Sequence, residues 1–515
     1  MKKRKTCIIS ALCFAAGIVS LSVAFGVAKS PIPVLADSAK TIMIITSGSQ
    51  TSTQEFDDAA TGSNAAAARA NSTDEVKLII GNDWEHDNQL TIGEGKKLTL
   101  DLNGHYIKRT RNKKQISDGS VFLVKKDATF TVMDSNPEVM GYDGNKGGVI
   151  VGGSSGNGAG GIHIEEKGHV VWTGGTLYEC DTDEHGGGFY LEGSSYDTSL
   201  TMTGGKIYAC QTIDSADNCH GGAIYVNRGT VNIRNATFDD CYSEDYGGAV
   251  YINDGYMNVY DSVFSANKAK DYGGAVYLAG DALIYFENCI FAGNQAGDDG
   301  GAVHINNNPS KEKANGFENL GYPATIFNNC VFRNNKSETR GGALHIDDDN
   351  VALIDVTIEN NQAKTGGGGV WVDSSSDITV KGKCIIKDNR CTNESGFNNV
   401  TLQRYGASKA YIYSAGLYHG SWIGVNSDSS DDDILICPRM SKYQMQYFHA
   451  DKGKLVMRDE EEVEAPMVVT ASLFGNGLFW AAIGVGGALI GVGIFVIVRR
   501  KKIKAKAATE AEEEE

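Results

Sequence analysis

The chain has 515 residues, enough for two or three ordinary domains or one long array of repeats, and a formal net charge of −17. That negative charge argues against a nucleic-acid partner, because nucleic acids favour basic surfaces. The 63 glycines stand against 7 prolines and follow no three-residue period, which excludes a collagen-like protein. Abundant glycine with regular apolar alternation instead predicts many short strands joined by tight turns.

The N-terminus has the pattern of a secretory signal peptide, predicted over residues 1–36. Residues 1–5 are basic (MKKRK), and residues 6–27 are mainly small and apolar. Residues 34–36 (VLA) then fit the small-residue cleavage pattern, with residues 26–28 (GVA) as the alternative site. The mature protein is therefore expected to be exported.

Three β-rich segments are predicted after the signal peptide. Residues 37–75 contain one hydrophobic strand among small and polar residues and form either a leader or an N-terminal cap. Residues 76–398 are periodic, and residues 399–458 are predicted to be a closing β segment. The periodic part holds most of the expected core.

The periodic part repeats a glycine pair followed by a short run of alternating apolar residues. The pairs begin at Gly160, Gly187, Gly221, Gly247, Gly273, Gly300, Gly341 and Gly367. Between Gly221 and Gly300 they lie 26 or 27 residues apart. Three short strands with turns fit this length and a strand–helix unit does not. Each repeat is therefore predicted to form one coil of an all-β, right-handed, single-stranded parallel β-helix.

Alternation within a repeat divides its side chains between core and surface. In the repeat that begins at Gly273, it directs Val276 and Leu278 inward and Tyr277 outward. The glycines permit a sharp corner. Asn294, at the end of the repeat, is expected to stack with its equivalents as a ladder of amides.

The cysteines of the exported part fit the same repeat. Cys180, Cys210 and Cys241 occupy the ladder position in the earlier repeats. Cys289 and Cys330 each precede a phenylalanine by two residues in consecutive repeats, and both a disulfide and two packed thiols agree with this spacing. No CxxC pair occurs, which argues against a zinc site.

The repeat motifs resemble those of the chlamydial polymorphic membrane proteins, which are autotransported adhesins with β-helical passengers. The motifs that carry the resemblance are GGAIYV, GGAVYI, GGAVYL, GGAVHI and GGALHI, together with FSAN, FAGN and FRNN. The flanks, including LTLDLNGH at residues 98–105, are similar to secreted bacterial β-helix proteins of pectate-lyase-like fold. The resemblance covers about residues 75–460 and implies a surface-displayed β-helix.

The C-terminus departs from that family and is predicted to be a membrane anchor. Residues 478–498 are a run of 21 uncharged, mainly apolar residues, and residues 499–502 are four cations. Such a run spans about 30 Å as a helix, and the cations favour the cytoplasmic side. The prediction is a single-pass cell-membrane protein with an extracellular N-terminal ectodomain, a spacer over residues 459–477 and a cytoplasmic tail over residues 499–515. A single-membrane bacterium is the favoured source.

A ring side chain recurs at the outward position of the glycine-pair strand, and these rings are the candidate ligand-binding residues. They are His163, Tyr190, Tyr225, Tyr251, Tyr277, His304, His345 and Trp371. Rings repeating on one face form a stripe on which sugars stack or a protein partner anchors. The sequence leaves open that the rings only stabilise the sheet or lie under a loop.

Catalysis is the main alternative, because pectate-lyase-like folds host lyases and glycosidases. The acidic candidates are Asp239, Asp240, Asp245, Asp271, Asp298, Asp299, Asp347, Asp348, Asp349, Asp431, Asp432 and Asp433. Most lie in predicted turns, where aspartate is favoured for backbone reasons alone. No catalytic residue, metal ligand or cofactor is therefore assigned, although Ca²⁺ at the acidic corners is left open.

Together these patterns predict a membrane-anchored bacterial surface protein that acts as an adhesin or as a glycan- or protein-binding structure. The expected partners are an extracellular glycan or a surface protein of a host or neighbouring cell, with the C-terminal helix in the membrane. A polysaccharide lyase or glycoside hydrolase is the second hypothesis, and a passive spacer is the third.

Overall fold

The computed structural model describes residues 40–69, 74–110, 117–214, 219–307, 324–405, 408–428, 433–435, 441–452 and 454–456. The chain divides into two compact units, residues 1–38 and 39–515, and every described residue belongs to the second. The predicted signal peptide and the predicted span at residues 478–498 lie outside the described residues, so both stay predictions.

The N-terminal end of the second unit is a small antiparallel cap. Strand Thr41–Ser47 pairs antiparallel with Gln50–Phe56 and with Asp74–Ile79. Helix Ala59–Arg69 lies between these last two strands in the chain. Strand Asp74–Ile79 then pairs in parallel with Lys97–Asp101, so the cap leads directly into the parallel array.

The array consists of three long parallel ladders, in which each strand pairs with its equivalent one repeat later. We call one repeat a rung, and each rung begins with the residue directly before its glycines. The first ladder contains Leu90–Ile92, Phe122–Val124, Ile162–Ile164, Phe189–Leu191, Ile224–Val226, Val303–Asn307, Leu344–Asp347, Val370–Val372 and Val400–Leu402.

The second ladder begins at the cap and ends near the closing segment. After Asp74–Ile79 and Lys97–Asp101 it contains Thr129–Met133, His169–Trp172, Ser199–Met202, Gly229–Arg234, Thr325–Asn328, Asn350–Ile354, Asp377–Gly382 and Tyr411–Leu417. Two long strands, Val250–Tyr260 and Val276–Glu287, pass from the first ladder into the second without a break. Strands that the sequence separates are therefore continuous in these two rungs.

The third ladder holds the segments that carry the phenylalanine motif. Its strands are Trp84–His86, Tyr106–Arg109, Val149–Gly152, Thr176–Tyr178, Lys206–Tyr208, Thr237–Asp239, Val263–Ser265, Ile290–Ala292, Val331–Arg333, Thr357–Glu359, Ile385–Lys387 and Trp422–Ser427. The last strand also pairs with the first ladder and with Phe448–Ala450, which joins two ladders at the C-terminal end.

A short fourth ladder of nine two-residue strands follows the third. These are Ser154–Ser155, Asp181–Thr182, Gln211–Thr212, Tyr242–Ser243, Lys268–Ala269, Gln295–Ala296, Lys336–Ser337, Gln362–Ala363 and Arg390–Cys391. The remaining elements are strands Arg404–Tyr405, Ser408–Lys409, Asp433–Leu435 and Lys454–Val456, helix Lys442–Met445 and the 3₁₀ turn Tyr142–Gly144. The fold is all-β, with mostly parallel strands in long sheets, and is consistent with a β-solenoid.

The glycine pair makes the corner of each rung for two separate reasons. Gly273 has a φ of +65°, which a residue with a side chain rarely adopts. A Cβ atom on Gly274 would lie only 2.2 Å from the carbonyl oxygen of Gly301 in the next rung. The first glycine thus permits the turn, and the second permits the close approach of neighbouring rungs.

The interior follows the predicted alternation, and an amide ladder runs beside it. Val276 and Leu278 are fully buried. The Asn294 side chain donates from Nδ2 to Oδ1 of Asn335 at 2.9 Å, and Asn335 donates in the same way to Asn361 at 2.9 Å. The predicted amide ladder is therefore present. Each amide also donates to a carbonyl oxygen of an earlier rung, which ties three rungs together.

The cysteines of the described residues are buried free thiols. Cys241 occupies the position that asparagine has in later rungs of the amide ladder. Its backbone N–H donates to Oδ1 of Asn267 at 3.1 Å. Cys289 and Cys330 lie on consecutive rungs, and burial together with the neighbouring Cys289 raises the pKa of the Cys330 thiol well above its ordinary value. These thiols fill the core.

Candidate functional site: a two-row ring array on the first ladder

The eight predicted rings lie in one continuous row along the first ladder. We call this set the inner row. Each ring is opposite the next in the strand register, in the order His163, Tyr190, Tyr225, Tyr251, Tyr277, His304, His345 and Trp371. The structure therefore brings all eight predicted residues together, and their side chains point away from the core.

Four consecutive rings of the inner row, from Tyr225 to His304, stack face to face along the axis of the ladder. The centroids of Tyr225 and Tyr251 are 5.2 Å apart with 8° between the planes, and those of Tyr251 and Tyr277 are 5.4 Å apart with 3°. Tyr277 and His304 continue the stack at 4.9 Å and 8°. Because the faces within this stack meet other rings, they are not open for a sugar to stack upon.

Most of the inner row is also covered from outside. Tyr277 is only 8% exposed and His345 only 3%. His163, Tyr190 and Tyr251 are half-buried, and the other five residues of the row are buried. The expectation of an open stripe does not describe this surface, and any ligand must first meet the residues that lie over the rings.

Those covering residues form a second row, which the sequence analysis missed. This outer row consists of His185, His220, Tyr246, Tyr272, Asp299 and Arg340. Each precedes the glycine corner of its rung and packs on the inner-row residue of the next rung. The centroids of His185 and Tyr225 are 4.1 Å apart, for example, and those of Tyr246 and Tyr277 are 4.9 Å apart.

A sequence signal for the outer row exists. A ring directly precedes the glycine corner in four consecutive repeats, in the segments HGG, HGG, YGG and YGG. Alternation does not find this position, because it lies in a turn and belongs to no strand. This position occurs once in each repeat, as the inner-row position does.

The outer row changes from rings to charges in the later rungs. Oδ2 of Asp299 lies 3.1 Å from Nδ1 of His345, and the guanidinium of Arg340 lies over the Trp371 ring at 5.1 Å. Asp373, directly after strand Val370–Val372, completes the cluster. Its carboxylate accepts from Trp371 Nε1 at 2.6 Å and lies 3.3 Å from His345 Nε2.

The electrostatics of this charged end follow from burial and pairing. Burial alone lowers the pKa of His345, but the hydrogen bonds and charges of Asp299 and Asp373 outweigh it and raise the pKa to about 9. Burial and then the charge of Asp373 raise the pKa of Asp347 to about 6. Burial and the neighbouring His345 hold the pKa of His304 well below its ordinary value. A charged imidazole therefore stands next to a neutral one.

The ring-covered part has a different chemistry. Burial raises the pKa of Tyr190 to about 12 and raises that of Tyr225, Tyr251 and Tyr277 as well. These phenols stay neutral at physiological pH. The inner row therefore offers neither a base nor a nucleophile in this part of the array.

Asp347 and Asp373, a pair of carboxylates on adjacent rungs, do not have the separation that a glycosidase uses. Asp347 lies within hydrogen-bonding reach of Asp373, whereas a glycosidase keeps its two carboxyl groups about 5 to 9.5 Å apart. Asp240 and Asp348 sit in turns with φ of 51° and 56°. Asp349 is buried and accepts from Thr325 Oγ1 at 2.7 Å.

Other parts of the predicted acidic set carry less information. Asp431 and Asp432 lie outside the described residues. Within the described part of the chain, no group of three or more His, Cys, Asp or Glu side chains is arranged to hold a metal ion. The sequence-based alternative of Ca²⁺ at the corners stays a prediction.

One family model matches the chain, over a short segment within the array. The model for the Chlamydia polymorphic membrane protein repeat matches residues 355–373. This segment contains strands Thr357–Glu359, Gln362–Ala363 and Val370–Val372, so it spans one corner and ends just beyond Trp371. No curated protein and no solved structure gives a significant match. The segment is thus similar to one copy of that repeat, which supports a repeat protein.

Among the described residues, no helix is both long enough and apolar enough to cross a bilayer.

Proposed function

We propose that this chain is a cell-surface binding protein. Its ectodomain is a right-handed parallel β-helix that is displayed on the outside of the cell, like the passenger domain of an adhesin. The observation that carries the proposal is the two-row array, which repeats one rigid arrangement of rings over consecutive rungs. The similarity of residues 355–373 to a polymorphic membrane protein repeat supports surface exposure. The repeated glycine pairs and the FSAN, FAGN and FRNN motifs in the sequence support the same conclusion.

The outer row is the part of the array that meets a partner. His185, Tyr246 and Tyr272 are partly exposed, while the rings beneath them are mostly buried. The rings of His185 and Tyr246 lie nearly parallel on Tyr225 and Tyr277, so a partner reaches the outer row before the inner one. At a rung spacing of about 4.8 Å, the outer row offers a regular series of contact positions. An extracellular glycan or a surface protein of another cell is the expected partner.

The membrane attachment belongs to the same proposal. The apolar run at residues 478–498, followed by the cations at residues 499–502, would hold the array on the outer side of the cell membrane. Deleting residues 478–515 should release the protein into the culture medium. Retention of the shortened chain in the membrane fraction would contradict this anchor.

Binding is tested with the full-length chain on a glycan array and on cultured host cells. The variant Tyr246→Ala/Tyr272→Ala should reduce any binding found at least tenfold, because it removes two neighbouring outer-row rings. Tyr418→Ala is the matched control, since Tyr418 is exposed and lies outside the array. Equal binding by all three proteins would contradict a role for the outer row.

A further inference from the structure

The outer row contains one pair of partly exposed tyrosines on consecutive rungs. Tyr246 and Tyr272 occupy the same turn position, and their ring centroids lie 5.2 Å apart with 41° between the planes. Both rings are half-buried, whereas Tyr277 next to them is buried. We propose that Tyr246 and Tyr272 are a site of covalent modification, at which peroxide-driven oxidation joins the two phenols as dityrosine.

The geometry distinguishes this pair from the stacked tyrosines beneath it. Tyr225, Tyr251 and Tyr277 are nearly parallel at 5.2 and 5.4 Å, so their carbon atoms face each other across a constant gap. A tilt of 41° brings one edge of the Tyr246 ring towards the Tyr272 ring. The turn positions lie outside the paired strands, and the carbonyl oxygen of Tyr272 accepts from Gly247 N–H at 2.9 Å, which holds the two turns side by side.

A proton acceptor is present for the oxidation. The carboxylate of Asp298 lies within hydrogen-bonding reach of the Tyr272 hydroxyl. A phenol loses its proton when it loses an electron, so an adjacent carboxylate assists that step. The inner row supplies a neighbour as well, because the Tyr277 ring lies 4.9 Å from Tyr246 and nearly parallel to it. An electron lost from Tyr277 can be replaced from the more exposed Tyr246.

The reaction balances with hydrogen peroxide as the oxidant. Each phenol gives up one electron and one proton and becomes a phenoxyl radical. The two radicals form one carbon–carbon bond between ring carbons ortho to the oxygens, and the hydrogens on those carbons move to the oxygens. Peroxide accepts the two electrons and two protons and becomes two molecules of water.

This inference is independent of the proposed binding function, because it needs only the ring pair, the carboxylate and an external peroxidase. The product would fasten neighbouring rungs covalently on the outer face. Within the described residues the thiols are free, so dityrosine would add a cross-link of another kind to this part of the chain.

The test treats the full-length chain with a haem peroxidase and limiting hydrogen peroxide. We expect dityrosine fluorescence in the monomeric fraction and a peptide pair that has lost two hydrogen atoms. Trypsin cleavage at Lys268 and Lys270 places Tyr246 and Tyr272 in different peptides, so their cross-link is visible by mass spectrometry.

Variants that keep the ring but remove the hydroxyl decide the assignment. Tyr246→Phe and Tyr272→Phe should each abolish the cross-linked peptide, while Tyr405→Phe should leave it unchanged although Tyr405 is 78% exposed. Asp298→Asn should slow its formation several-fold. Absence of the cross-link in the parent chain, or the same yield in Tyr272→Phe, would overturn the proposal. An unchanged rate in Asp298→Asn would overturn the role of the carboxylate.

Discussion

Nδ1 of His345 lies 3.1 Å from Oδ2 of Asp299, in the place where earlier rungs stack one ring upon another. The other ring nitrogen lies 3.3 Å from Oδ2 of Asp373. With only 3% of its surface exposed, the imidazole is held between two carboxylates from different rungs. The charge pair of Asp299 and His345 thus occupies the position at which two rings stack in the earlier rungs.

This pairing predicts a loss of stability in alkaline solution. The folded-state pKa of His345 is raised to about 9 from 6.5, so its contribution is complete below pH 6.5 and is lost as the pH rises through 9. The shift corresponds to about 3 kcal/mol. The melting temperature of the parent chain should fall over this range more steeply than that of His345→Gln. Parallel pH profiles for the two proteins would contradict a charged His345.

Asp347 predicts a substitution that stabilises the protein, because its charged form is disfavoured in the fold. Its folded-state pKa is raised to about 6 from 3.8, so the fold is favoured while the group is protonated, and this advantage is lost as the pH rises through 6. Asp347→Asn should therefore stabilise the protein at neutral pH by about 1 kcal/mol, after allowance for partial exposure. It should have no effect near pH 3. Asp57→Asn is the control, because this carboxylate lies in the N-terminal cap and is 93% exposed, and it should change the free energy of unfolding by less than about 0.5 kcal/mol at either pH.

The corner glycines predict a large difference between two Gly→Ala variants. A Cβ atom on Gly274 would lie 2.2 Å from a carbonyl oxygen of the next rung, where the ladder fixes both backbone segments. Gly274→Ala should cost more than about 4 kcal/mol of unfolding free energy or prevent folding. Gly293→Ala meets no atom within 4 Å and should cost only about 1–2 kcal/mol for its φ of +70°. Similar denaturant midpoints for the two variants would contradict this account of the corner.

The amide ladder predicts a cost that is specific to buried asparagines. Asn335 donates to Phe291 O at 3.0 Å and to Asn361 Oδ1 at 2.9 Å, and its Oδ1 accepts from the backbone of Asn294 at 3.0 Å. Asn335→Ala leaves buried partners without a bond and should cost about 3 kcal/mol in urea unfolding. Asn393→Ala, at an exposed position, should stay within about 0.5 kcal/mol of the parent. Equal losses would show that the ladder contributes nothing.

Alternation within the repeat predicts the parts of the fold that depend on neighbours in the same strand. Val276 and Leu278 are inward and buried because side chains alternate along a strand. Tyr277 points away from the core for the same reason. Its burial is not predictable in this way, since it arises from Tyr246, a turn residue of the preceding rung. The candidate site is therefore predictable in its direction and not in its exposure.

The charged end was hidden from sequence reasoning for a related reason. His345 looks like one more ring of the stripe, and Asp299 looks like an ordinary turn residue. Only the offset of one rung between the two rows brings them together. The shifted pKa values of this cluster follow from that contact and from burial, neither of which is visible in a linear pattern.

The offset between the rows also governs how this molecule can change its length. Each outer-row residue covers the inner-row residue of the next rung. When a repeat is duplicated or deleted, the outer-row residue must therefore be able to pack on the inner-row residue that it newly meets. Within the stretch from His185 to Tyr277 the turn residue and the residue that it covers are both rings, so duplication of a whole repeat there would keep ring-on-ring contacts. A repeat inserted so that Asp299 covers a tyrosine would place a carboxylate over a phenol, instead of the charge pair that Asp299 makes with His345. Duplication or deletion of a repeat should therefore preserve stability in the first stretch and reduce it at that junction.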